Sequence, residues 1–178
     1  FRCKREADGS LTALDLKLIY PEGNIFGDGV QELLTDHLKE AGIRLTAEPM
    51  PFTELLKVYY RQTERNVDLI YLATNITEVF EPSETFDPAD AMTAHNNRTA
   101  CDDEELYQLS VNMRKTPTGD VLEYMKRWIA FQERYAEVLP TIPVYSNIYF
   151  DFYTNRLTNY TVANYIDWSE AIVSSFLK

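Results

Sequence analysis

Apolar and polar positions alternate along residues 13–20, ALDLKLIY, so that Leu14, Leu16, Leu18 and Tyr20 fall on one side, the period-two signature of a strand. Pro21 and Gly23 end that run. The period then lengthens. In GDGVQELLTDHLKEAG, residues 27–42, Val30, Leu33, Leu34 and Leu38 recur at helical spacing, with Asp28 near the start and Gly42 as a stop signal. IRLTAE at 43–48 predicts a second strand, and FTELLKVYYRQTE at 52–64 a second helix with Leu55, Leu56, Tyr59 and Tyr60 on its apolar face. Residues 67–73, VDLIYLA, form a nearly continuous apolar run, expected to be a central strand. Strand, helix, strand, helix, strand with short links predicts right-handed crossovers and a mostly parallel sheet flanked by helices.

The second half changes character. Residues 91–101, AMTAHNNRTAC, have no periodicity and read as loop. DDEELYQLSVNMRK comes next as a helix, with four acids in its first turn and Arg114 and Lys115 at its end, both complementing the helix dipole. A longer helix is predicted over 118–137, where Val121, Tyr124, Met125, Trp128, Ile129, Phe131 and Tyr135 make a wide apolar stripe that Pro140 closes. TIPVYSNIYFDFYT is β-branched and aromatic and reads as extended chain; a strand-like piece and a short helix complete the sequence to Lys178. The fold class is α/β, with a helical pair inserted before a late strand.

At 178 residues one main core is expected. A net charge of -11 would repel a phosphate backbone and an anionic bilayer, so nucleic acid is an unsuitable partner. No apolar run has the roughly 20 residues a membrane span needs, and the first residues lack the apolar region of a signal peptide. Cys3 and Cys101 could form one disulfide in an oxidising compartment and do not decide which compartment applies.

Catalytic constellations are weak. His37 and His95 are the only histidines, and no serine or cysteine stands beside them in a nucleophile motif. The six glycines are scattered and form no phosphate loop. Neither EPSETFDPAD nor CDDEEL carries the glycine a calcium loop needs, so no metal or cofactor is expected. Sequons at Asn75, Asn97 and Asn159 are read as incidental.

Beyond the apolar run at 67–73 the chain turns polar and acidic through Asn75, Thr77, Glu78, Glu81, Ser83, Glu84 and Asp87, with no basic residue to balance them. In open parallel sheets, ligands bind outside the carboxyl ends of strands. That makes Asn75 and Thr77 candidate ligand contacts, whereas Glu81, Glu84 and Asp87 fit a solvated loop face.

Three segments in order resemble the dipeptide- and oligopeptide-binding family of ABC-transporter substrate-binding proteins (solute-binding protein family 5): EAGIRLT at 40–46 after a long helix; VDLIYLATN…FEPSETFDP; and NNRTACDDEELYQLSVNMRKT with a helix and ERYAEVLPTIPVYSN. The resemblance spans roughly residues 10–150. It implies a periplasmic-binding-protein-like lobe, with residues 1–147 as the second lobe of a two-lobed protein and 148–178 as a segment crossing back to the first. It also implies a non-enzymatic binder of a small peptide or other polar solute, serving ABC permease subunits from the periplasm or as a lipoprotein on the outer face of the cell membrane. Carried over at FEP, 80–82, the family's pattern puts Asn75 where a Trp packs on ligand and Glu78 where an Asp pairs with a peptide's α-amino group. Asn75, Ile76, Thr77, Glu78 and Asn147 are the implied ligand-binding residues. The Asn for Trp exchange would admit a sugar or another polar solute. A second reading is a self-contained α/β hydrolase or transferase using Glu78 and a neighbouring acid.

The tail from 148 carries Tyr149, Phe150, Phe152, Tyr153, Trp168 and Phe176, more apolar area than solvent tolerates. It is expected to dock back on this domain or to exchange with a second copy as a swapped homodimer.

Overall fold

The computed structural model describes residues 1–74, 81–93, 96–146, 150–163 and 166–178. A hairpin of β1 (Cys3–Arg5) and β2 (Leu11–Ala13) precedes β3 (Asp15–Pro21), α1 (Ile25–Glu40), β4 (Arg44–Met50), α2 (Phe52–Tyr59) and β5 (Leu69–Ile70). β4, β3 and β5 make a parallel sheet in that spatial order, with Leu18 opposite Ala47 on one side and Leu69 on the other.

The centre of this sheet is β3, and the run expected to be central contributes only a short flanking strand. Hydrogen bonds from Asp68 N to Lys17 O (3.0 Å) and from Tyr71 N to Ile19 O (2.9 Å) bound the pairing, and Asp68 Oδ2 accepts Lys17 N at 2.8 Å. Leu18, Ile19 and Tyr20 are buried in succession because a central parallel strand is covered on both faces.

Both crossover helices end in the same hydrogen-bonded motif. In α1, Gly42 N bonds Lys39 O and Ile43 N bonds Leu38 O, with Gly42 at φ +78°. In α2, Arg61 N bonds Val58 O and Gln62 N bonds Lys57 O, with Arg61 in the left-handed region at φ 55°. That motif stops α2 at Tyr59, short of the expected residue 64. Gly27 lets the first turn of α1 press onto β3: a Cβ there would stand 2.8 Å from Tyr20 Cδ2.

After the short 3₁₀ turns Ser83–Phe86 and Pro88–Asp90 come α3 (Glu104–Arg114) and α4 (Val121–Val138). Phe86, Cys101, Leu106, Met113 and Phe131 form their core, with Phe86 and Phe131 ring centroids 5.8 Å apart. Asp103 caps α3 by accepting Leu106 N at 2.8 Å, and its carboxylate grips Arg134 of α4 through Nη2–Oδ2 (2.6 Å) and Nε–Oδ1 (3.1 Å). Cys101 is buried, Cys3 is exposed on β1, and both are free thiols.

Residues 141–146 and 150–154 form no regular strand. Beyond them lie β6 (Leu157–Thr158), α5 (Trp168–Val173) and β7 (Phe176–Leu177), with β6 pairing antiparallel to β7. The expected docking of this tail is not observed: Phe150, Phe152, Trp168, Val173, Phe176 and Leu177 are exposed, and Ala171 is the tail's one buried residue among those described. Its two short strands pair with each other in a separate two-stranded sheet.

Candidate functional site

Parallel strands deliver their carboxyl ends to one edge of the sheet, and the loops leaving them enclose a crevice there. It is lined by Pro21, Glu22, Gly23 and Asn24 after β3, Phe52 at the start of α2, Tyr71, Leu72 and Ala73 after β5, and Tyr145, with a volume of about 320 Å³. That is at the small end of ligand-sized cavities.

Each wall has a local cause. Asn24 turns the chain from β3 into α1 by capping the helix, its Oδ1 accepting Gly27 N at 2.8 Å. Glu22 N bonds Met50 O at 2.9 Å, tying the loop after β3 to the end of β4. Tyr145 is held from two sides: its ring centroid lies 5.2 Å from that of Phe26, and its hydroxyl accepts from the Tyr71 hydroxyl at 3.4 Å. Burial, and secondarily the Tyr145 hydroxyl, push the Tyr71 pKa up to about 12. Tyr71 is therefore a neutral hydrogen-bonding wall at any physiological pH. Phe52, in the lining, and Phe26, against Tyr145, each leave more than half their surface exposed, which gives the crevice an apolar border.

Chemically, such a crevice can stack and hydrogen-bond a small molecule. Glu22 is the one ionisable carboxylate in its lining among the described residues. Asn75, Ile76, Thr77, Glu78 and Asn147 lie outside the described residues; Ala73, two residues before Asn75, lines the crevice. Tyr71, Phe26, Phe52 and the Glu22–Asn24 turn were not singled out by sequence reasoning. The rule applied to the end of the third strand, an apolar run breaking into polar residues, applies equally to PEGN after Tyr20 and would have found that wall.

Asn97, one of the sequons, is fully buried. Its Nδ2 donates to Asp87 O (2.9 Å) and Cys101 O (2.7 Å), while its Oδ1 accepts from Thr99 Oγ1 (3.1 Å) and Cys101 N (3.2 Å). It is a loop-organising residue whose amide is inaccessible to modification in the folded chain.

No family model matches this sequence, and no curated protein matches it. Solved structures do. The oligopeptide-binding protein AppA from Bacillus subtilis, in complex with a nonapeptide, superposes with a TM-score of 0.63 at 15% identity, covering 76% of this chain and 26% of that one. The fold is that of a solute-binding-protein lobe. The oligopeptide-binding protein from Thermus thermophilus, complexed with a pentapeptide, gives 0.61 at 16% identity over 78% of this chain and 26% of its own. NikZ from Campylobacter jejuni, in complex with Ni(L-His), gives 0.59 at 14% identity over 78% and 28%. This chain thus spans about a quarter of the length of these proteins.

Proposed function

We propose that this chain is one lobe of a two-lobed binding protein that captures a small polar solute, a peptide, in an interlobe cleft and delivers it to an ABC importer. The observation that carries the reading is the aromatic crevice at the carboxyl ends of β3 and β5, beside which Phe26 and Phe52 remain more than half exposed. The lobe fold shared with binding proteins supports it.

In this reading residues 1–147 form the lobe and 148–178 cross to the other one, which would cover the exposed tail aromatics. Asn75, Ile76, Thr77, Glu78 and Asn147 contact the ligand, and Glu78 pairs with its ammonium group, an ion pair that strengthens once closure excludes water. Closure of the lobes is the signal a permease reads, and no covalent step is required. The protein works outside the cytoplasm, in the periplasm or as a lipoprotein; no helix among the described residues is long and apolar enough to cross a membrane.

Calorimetry with a peptide library tests this on the present chain and on the two-lobed parent. The expected result is weak binding or none here and tight binding there, reduced by Glu78→Gln in the parent. A parent that ignores peptides overturns the substrate class, and equal affinity in both overturns the interlobe site.

A further inference from the structure

At the end of the sheet away from the crevice, three arginines gather around the last turn of α2. α2 begins at the crevice with Phe52 and runs eight residues away from it, so its last turn lies about 12 Å off. Arg61 comes just after that turn, Arg65 lies in the link leading to β5, and Arg98 belongs to the loop before α3. Arg65 Nη2 donates to Tyr59 O at 2.7 Å and Arg98 O at 2.9 Å. The Arg98 guanidinium sits 4.6 Å from the ring centre of Tyr60 and 5.9 Å from that of Tyr59. Arg61 Nη1 reaches the weak acceptor Met92 Sδ at 3.8 Å.

Capping the carboxyl end of α2 accounts for one nitrogen of Arg65, and stacking accounts for one face of Arg98. Neither explains the remainder. The Nε–H groups of Arg61, Arg65 and Arg98 are buried without a hydrogen-bond partner, and no other side-chain nitrogen or oxygen among the described residues is so placed. Buried donors are nearly always met, so three unmet ones around one helix end are an unusual concentration of unanswered positive charge. None of the three joins an ion pair among the described residues, although the chain carries 28 acids. Burial first, and then the charge of Arg61, lower the pKa of Arg65, as expected of a cation crowded by a like charge.

We propose that Arg61, Arg65 and Arg98 form a binding site for a phosphate group, separate from the solute crevice. A carboxylate is satisfied by a single guanidinium fork, whereas a phosphate monoester brings about -1.5 to -2 charges and three acceptor oxygens, enough for several donors at once. The same chemistry is offered by inorganic phosphate and by a phosphorylated small molecule.

The test reads the native chain by NMR. Arginine is labelled with ¹⁵N, the three Nε–H resonances are assigned with Arg61→Lys, Arg65→Lys and Arg98→Lys, and the protein is titrated with inorganic phosphate, O-phosphoserine and, at equal ionic strength, acetate. The expected result is a joint, saturable shift of the three resonances with phosphate or phosphoserine and none with acetate; whichever saturates first identifies the source. Arg61→Gln combined with Arg98→Gln should weaken binding by about tenfold or more, with an unchanged circular dichroism spectrum. Resonances that stay still in both phosphate titrations, or move equally in acetate, overturn the proposal and leave the arginines as a clamp between α2 and the loop at 96–100.

Discussion

Replacing Asn97 tests how the loop between Asp87 and Cys101 is held, because one buried amide supplies four of its hydrogen bonds. Asn97→Ala removes the donor to Asp87 O and Cys101 O and the acceptor for Cys101 N, which keeps only Thr99 Oγ1 at 3.3 Å. Two carbonyls are then left without their donor, Cys101 O in a buried bond at about 1–3 kcal/mol and Asp87 O in a part-buried one at the low end of that range, so a loss of about 2–4 kcal/mol is expected. Asn97→Asp keeps the shape and is worse at neutral pH: it turns a carboxylate oxygen toward the same two carbonyls, for a loss of about 3–5 kcal/mol. Its pH dependence has a definite sign. Burial against the carbonyl oxygens of Asp87 and Cys101 raises the folded-state pKa of the introduced carboxyl above the unfolded value of about 3.9. Its deficit relative to the parent therefore shrinks as pH falls through that raised pKa and is largest above it. Urea unfolding monitored by circular dichroism at neutral and mildly acidic pH measures both variants. Losses below about 0.5 kcal/mol for both, or an Asp variant no worse than the Ala variant at neutral pH, would refute the reasoning.

Asp103→Ala should cost about 0.5–2 kcal/mol for the cap alone and release Arg134 besides, whereas Asp103→Asn retains the bond to Leu106 N and should cost less. The Arg134 guanidinium beside Asp103 holds its carboxyl below the usual carboxylate range, so its contribution is complete above the unfolded value of about 3.9 and disappears as pH falls through the lower folded one, a window that acid titration of urea midpoints will show. Tyr145→Phe removes the secondary cause of the high Tyr71 pKa, so in ¹³C-tyrosine NMR that titration should move down from about 12 while burial keeps it above about 10. Ellman titration should count one thiol in the native chain, the exposed Cys3, and both in denaturant, since Cys101 is buried and its thiol pKa is pushed up chiefly by that burial; a native count of zero would indicate a disulfide instead.

Local chemistry in the sequence determined the elements themselves. Alternation along ALDLKLIY, the helical spacing of Val30, Leu33, Leu34 and Leu38, the stop at Gly42 and the acids that open DDEELYQLSVNMRK all act over a few residues, and the strands and helices stand within a few residues of where those signals put them. Boundaries set by backbone geometry without a glycine were less legible: α2 ends because Arg61 takes a left-handed conformation that its side chain does not announce. Rank within the sheet was decided only in three dimensions. Leu69 and Ile70 are as apolar as Leu18 and Ile19, yet which run lies in the middle depends on the path of the crossovers, and β3 takes that place. The same holds for the sites. A polar break after an apolar strand marks one wall of a crevice, but the meeting of Phe26, Tyr71 and Tyr145, and of Arg61, Arg65 and Arg98, joins residues up to 119 positions apart, counting from Phe26 to Tyr145. No periodicity records such meetings, because they arise when the sheet, its flanking helices and the later loops pack around one another.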